Sequence, residues 1–356
     1  MYIGDPDARG LDYCVFELIA NSLVEYVTGR GSRITVTIHE DGSLSVKDEG
    51  GGISIVEDPI HKIPFVQSAL TSSYVNRNRT DYSPYGAGLH GVGAKCVNAL
   101  SEWMKVTTVW EGAEYQITFA RGRVNEPLMK VRDLAGARGT TVRFKPDPTI
   151  FSVTTFDRNT LAVRLEHLAV LHPGLEFWLL DERPNSATRP LVSRFHYPGG
   201  IADFLAVAGP DLLRPHPGVA AFQGEVDGIK IVLGFQFMDS KNSSVLGFVN
   251  SILTRREGTH VQGFLQGMAD AFAELAGQEQ LLQPNDLRVG LKAVVAVWLA
   301  APRFGGATKD ELINPEVEAV LREFTAGRVR RWIAESGDRA EWLMVCLNRD
   351  CRAESD

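Results

Sequence analysis

The hydrophobic period changes once between residues 11 and 53, and that change constrains the fold more than any other feature. Leu11, Val15, Leu18, Ile19 and Leu23 recur at steps of three and four, which predicts a helix over residues 11–27 with Gly29 as its stop. ITVTIH (34–39) and SLSVK (43–47) then alternate, with Asp41-Gly42 between them as a hairpin signal. The second strand runs straight into Asp48-Glu49-Gly50-Gly51-Gly52-Ile53, a strand end followed by a glycine-rich turn.

Beyond residue 53 the pattern stays mixed. Residues 68–85 are polar and without period, and read as a loop of the lid kind. Gly86-x-Gly88-x-x-Gly91-x-Gly93 then leads into a helix-like segment near Ala94, followed by β-rich sequence in which TTVRFK (140–145) is the clearest strand. Arg183–Pro190 reads as a surface turn, and Pro198-Gly199-Gly200 marks a boundary near Tyr197. The second half predicts strands at 228–237, 245–252 and 290–299, and helices at 260–275 and 315–332.

A length of 356 residues matches two domains of ordinary size. With 37 basic and 44 acidic residues the net charge is −7, which argues against a surface dominated by nucleic-acid contacts. The longest apolar run, Leu291–Pro302, is too short for a bilayer, and MYIGDPDARG has no signal-peptide pattern. Cys14, Cys96, Cys346 and Cys351 are scattered as in a protein of a reducing cytosol, so the predicted location is cytoplasmic with no membrane partner.

Five places can carry chemistry. The glycine cluster lets backbone approach a ligand, and the helix behind it offers unpaired N–H groups that suit phosphate. It lacks the Gly-Lys-Ser/Thr ending of a Walker loop. Tyr13, Glu17 and Asn21 are four apart and share a column of the first helix. A carboxylate there can take a proton from water, and an amide oxygen can ligate Mg²⁺; a solvated polar face is the plainer explanation. Asp48 can accept from an exocyclic amine such as that of adenine, or merely form a turn. Thr140 follows Gly139 at a strand start, and Lys309 lies in the loop RFGGATKDEL; each alone reads as an ordinary strand or surface residue.

Order gives these weak signals force. MYIGD, FELIANS, VTIHEDGSLSVKDEGGGI, GLHGVGAKCVNALS, GTTVRFKPD, FHYPGGI, EGTHVQGF and APRFGGATKDEL together resemble the B-type ATPase subunits of type II topoisomerases, DNA gyrase B and its topoisomerase IV counterpart. These proteins sit in a wider superfamily with MutL, histidine kinases and a heat-shock chaperone class. The resemblance implies an α+β chain: a Bergerat-type α/β sandwich binding ATP over residues 1–197, then a ribosomal-protein-like βαβ transducer over 198–356. It implies Glu17 as general base, Asn21 as ligand of Mg²⁺, and Asp48 as reader of the adenine amine with Thr140. Gly50, Gly52 and Ile53 shape the wall. Gly88, Leu89, His90, Gly91, Val92 and Gly93 cover the triphosphate, and Lys309 senses the γ-phosphate. A homodimer through the nucleotide domain and a gyrase A-like partner are implied too.

Departures from the family pattern are as informative. Tyr13 stands where a histidine usually orients the glutamate, Ala20 where an acidic residue is usual, and Ala307 where a glutamine precedes the sensing lysine. Gly86-Ala87-Gly88 replaces Ser-Gly-Gly, and Trp110 replaces an arginine at the site mouth. The chain starts at MYIGD, where the family has a preceding arm that embraces the other protomer, so dimerisation is expected to be weak. It carries neither a TOPRIM domain nor a DNA-cleaving tyrosine, and WLMVCLNRDCRAESD reads as a native terminus. Three functions stay open: an ATP-driven switch, a free-standing enzyme transferring a phosphoryl or nucleotidyl group to a small molecule, and a non-catalytic ATP-binding decoy.

Overall fold

The computed structural model describes residues 4–72, 92–184, 190–207, 218–238, 242–275, 283–306, 308–339 and 341. They fall into two compact units, Met1–Pro198 and Gly199–Asp356.

The first unit runs α1 (Ala8–Val27), β1 (Arg33–Ile38), β2 (Leu44–Asp48), α2 (Phe65–Thr71), α3 (Gly93–Ala99), β3 (Ser101–Trp110), β4 (Ala113–Ala120), β5 (Arg123–Asp133), β6 (Gly139–Pro146), α4 (Arg158–Leu171), β7 (Glu176–Asp181) and β8 (Leu191–Phe195). Eight strands form one sheet in the order β5-β4-β3-β6-β2-β1-β7-β8. Neighbours are antiparallel except β1 and β7, which are parallel.

Period-two alternation explains the layering. In β2, Leu44 and Val46 are buried while Lys47 is exposed, so one face of the sheet is apolar. Leu11, Val15 and Leu18 of α1 and Leu161 and Leu165 of α4 share one core with Ile34, Val36 and Val46. On the other face Arg143 lies over Trp103 and Arg33 over Trp178, so that surface is closed by stacked guanidinium groups. Asp7 starts α1 by accepting from the N–H groups of Arg9 and Gly10, the ordinary chemistry of a helix N-cap. Between β1 and β2, Asp41 accepts from the N–H and hydroxyl of Ser43, and Gly42 takes φ +79°.

The second unit runs α5 (Ile201–Ala206), β9 (Ala220–Val226), β10 (Ile229–Phe237), β11 (Ser244–Val249), β12 (Ile252–Leu253), α6 (Thr259–Leu275), β13 (Leu291–Trp298) and α7 (Pro315–Ala334). Its sheet has the order β12-β11-β13-β10-β9, with β11 and β13 parallel. The chain leaves β11, passes through α6 and returns to β13, a βαβ crossover. Phe235, Phe264 and Trp332 meet in its core.

Several sequence expectations are adjusted. The expected loop over 68–85 is helical in its first residues, because α2 extends to Thr71; its part beyond residue 72 lies outside the described residues. The helix entered near Ala94 stops at Ala99, and Ser101 already belongs to β3. The strand expected over 245–252 is two strands, since Asn250 and Ser251 both take positive φ and turn the chain. Most of the expected surface turn at 183–190 falls outside the described residues.

Candidate nucleotide site

Asp48 is the fixed point of the site. It ends β2 beside β6 and is 7% exposed. Its Oδ1 accepts from the N–H groups of Gly50 (2.9 Å) and Thr140 (3.1 Å), and its Oδ2 accepts from the Ser22 hydroxyl (2.9 Å). A carboxylate has about four acceptor positions. Among the described residues three are occupied, and the one left lies on Oδ2. Burial pushes this carboxyl above its ordinary range, while donors from Gly50, Ser22 and Thr140 pull it back down. A buried carboxylate with one acceptor position to spare fits an exocyclic amine.

Gly139 lets β6 come this close. It takes φ +118°, and a Cβ there would stand 2.1 Å from the Asp48 carbonyl oxygen. Gly139→Ala therefore combines backbone strain with a backbone clash. It is expected to lower the thermal midpoint by on the order of 5 °C, measured by circular dichroism.

The turn after Asp48 is tied on both sides. Glu25 accepts from the Gly51 N–H (2.8 Å) and pairs with Arg30 (3.0 Å). Ile53 donates its N–H to the Thr108 hydroxyl (2.7 Å), which donates back to the Ile53 carbonyl (3.1 Å). Gly52 sits against the Val109 carbonyl, where a Cβ would be 2.1 Å away. Gly50, Gly52 and Ile53 are thus fixed between α1 and β3. Trp110 closes β3, half-buried and opposite Ala113.

Glu17 meets the first turn of α3. A Cβ on Gly93 would lie 1.9 Å from Glu17 Oε2, so only a glycine leaves the carboxylate its place. Tyr13 and Glu17 are half-buried and Asn21 is exposed, in one column of α1. Cys14 and Cys96 share this corner. Burial first, then the nearness of Cys96 and Glu17, push the Cys14 thiol up to about 12, and burial raises Cys96. Val92 caps α3.

Tyr13, Glu17, Asn21, Asp48, Gly50, Gly52, Ile53, Val92, Gly93 and Thr140 all lie in the first unit; the structure brings Asp48 together with Gly50 and Thr140, and Glu17 with Gly93. Gly88, Leu89, His90 and Gly91 lie outside the described residues, as does Ala307. Lys309 is in the second unit at φ +56°. Sequence alone does not single out Ser22, Glu25 or Thr108. Of the three, Ser22 carries a signal, as a hydroxyl on the apolar face of a helix. Among the described residues no cluster of three or more His, Cys, Asp or Glu side chains could hold a metal, and no helix is long and apolar enough to cross a membrane.

The first unit is thus a helix layer on one mixed sheet, with a carboxylate at a strand end and a glycine-led helix beside a glutamate. The family model described as "Histidine kinase-, DNA gyrase B-, and HSP90-like ATPase" matches residues 6–150, and the one described as "DNA gyrase B" matches residues 200–354. The 43K ATPase domain of Thermus thermophilus gyrase B, solved in complex with an aminocoumarin, aligns over 100% of this chain and 93% of its own, with TM-score 0.79 and 32% identity. The DNA topoisomerase 4 B protein of Bacillus subtilis is 36% identical over 97% of this chain and 53% of its own length. The type 2 topoisomerase B protein of Aquifex aeolicus is 36% identical over 91% of this chain and 41% of its own. The chain belongs to the gyrase B and topoisomerase IV B family and comprises its ATPase and transducer domains; it spans 53% and 41% of the length of those two relatives.

Proposed function

We propose that the chain binds ATP in its first unit, hydrolyses it to ADP and phosphate, and uses the cycle as a conformational switch. The observation that carries the reading is the Asp48 carboxylate, buried, held by three donors and left with one acceptor position. In this reading that position takes the adenine amine. Glu17 removes the proton of the attacking water, and half-burial against Gly93 limits the orientations its carboxylate can take. Tyr13 orients Glu17 in place of the family's histidine. Asn21 would hold Mg²⁺, which when bound supplies charge neutralisation at the phosphates. Gly88, Leu89, His90, Gly91, Val92 and Gly93 cover the triphosphate with backbone N–H groups, and Lys309 contacts the γ-phosphate. Water exclusion and charge stabilisation are what phosphoryl transfer to water chiefly requires.

The relatives are named as B subunits of topoisomerases and gyrases, and we propose more widely that in such an assembly this cycle drives a homodimer working with a gyrase A-like partner on DNA. Those names favour hydrolysis over transfer to a small molecule and over a decoy. The site is tested by titration with ATP and GTP. ATP is expected to bind at least about tenfold tighter, because guanine presents a carbonyl where adenine presents the amine. Equal affinity would remove Asp48 from base recognition. Trp110 leads to a further expectation. Without the arginine's charge-assisted bond, novobiocin should bind roughly ten- to hundredfold more weakly than to relatives that carry it, measured by calorimetry.

A further inference from the structure

We propose that Glu257 and Gly258 are positioning residues for Lys309: they seat the lysine's loop at the start of α6, and so set how well it tells ATP from ADP. This rests on the assignment of Lys309 to the γ-phosphate above.

The loop itself is a tight hairpin. Gly305 donates to the Glu311 carbonyl (3.0 Å) and Ile313 to the Arg303 carbonyl (2.9 Å). Lys309 sits near its tip at φ +56°, its N–H bonded to the Gly306 carbonyl (3.1 Å). The returning arm of this hairpin lies along residues 256–259. Arg256 donates to the Asp310 carbonyl (2.8 Å), Leu312 to Glu257 (3.2 Å) and Thr259 to Leu312 (3.0 Å). Gly258 and Leu312 form a parallel bridge.

Two residues of the seat are conformationally special. Gly258 takes φ +127°, and a Cβ there would stand 2.3 Å from the Leu312 carbonyl oxygen and 2.5 Å from its nitrogen. Glu257 takes φ +61°, which side chains other than glycine seldom adopt. Such a conformation persists where its surroundings over-determine it. Here Arg288 grips both carboxylate oxygens of Glu257, at 2.9 and 2.7 Å. The exposed Arg256–Glu311 pair, at 3.7 Å, adds little. The seat is rooted in the second unit's core: the next residues open α6, and His260 is fully buried with its Nε2 3.3 Å from the Thr254 hydroxyl. A displacement at the start of α6 therefore moves the loop that carries Lys309 through three backbone bonds, while the bidentate Glu257–Arg288 pair fixes the seat itself.

The test uses the full chain and calorimetric titration with a non-hydrolysable ATP analogue and, separately, ADP. Lys309→Ala, Glu257→Ala and Gly258→Ala should each weaken the analogue about tenfold and leave ADP unchanged, because ADP has no γ-phosphate to lose a charged contact with. The reversed pair Glu257→Arg with Arg288→Glu should recover most of the loss. If Gly258→Ala does not fold, Glu257→Ala and the reversed pair decide. Loss of analogue preference in Lys309→Ala but not in Glu257→Ala overturns the seat and leaves the Lys309 reading standing. Equal weakening of both nucleotides in Glu257→Ala also overturns the seat. Unchanged preference in Lys309→Ala removes the reading beneath it, and the seat with it.

Discussion

Replacing Glu17 with alanine should leave ATP binding within about threefold of the parent and lower hydrolysis by at least about a hundredfold, the usual worth of a general base. Binding is expected to survive because Asp48 lies elsewhere, at the end of β2, and takes its three donors from Ser22, Gly50 and Thr140. Hydrolysis is expected to fail because removal of the carboxylate leaves the attacking water without a proton acceptor. Glu17→Gln separates charge from packing: an amide fills the same volume against Gly93 but cannot accept the proton. Both variants should therefore look alike in turnover. Turnover at the parent rate in either variant would show that another group is the base. Gly93→Ala is the complementary change. Its Cβ would occupy the carboxylate's present place, so Glu17 must rotate away, and turnover should fall while the second unit stays folded.

Asp48→Asn should weaken ATP by about tenfold or more with little loss of stability. An asparagine that keeps its oxygen at the Oδ1 position still accepts from Gly50 and Thr140, and its NH₂ can donate to the Ser22 hydroxyl. What disappears is the spare acceptor on Oδ2. pH gives an independent check. Burial, the largest influence on Asp48, raises its carboxyl above the ordinary value of 3.8. As pH falls, Asp48 is therefore protonated sooner than an ordinary aspartate, and an acceptor turns into a hydroxyl. ATP affinity should decline on acidification beginning above the ordinary aspartate range, and the asparagine variant should lack that component. Titrations at several pH values with identical slopes for both proteins would contradict the assignment.

Where a residue's role depends on local period or turn chemistry, the sequence is legible. The column of Tyr13, Glu17 and Asn21 follows from helical spacing alone, and Asp48 stands out because it closes an alternating strand before three glycines. What depends on distant pairing is not legible. Thr140 meets Asp48 across 92 residues, and it does so through its backbone N–H, a group every residue but proline possesses. Thr108 reaches Ile53 across 55 residues on a strand whose composition gives no special signal. Ser22 has one hydroxyl on an apolar face, and only the fold reveals that Asp48 is its partner. The turn at Asn250 and Ser251 is a different case: both residue types favour turns, so the break in what reads as one strand has a local signal that the apolar run around it masks. The family resemblance supplies roles for residues that spacing cannot connect, such as Lys309, which lies in a different unit from Glu17.

Hydrolysis at the Glu17 site is most directly tested by single-turnover analysis of the purified chain with ATP and Mg²⁺, with the nucleotide products separated and phosphate measured. ADP and inorganic phosphate in equal amounts, lost together in Glu17→Ala, is the predicted result. AMP with pyrophosphate, or no turnover until a small-molecule acceptor is supplied, would contradict it.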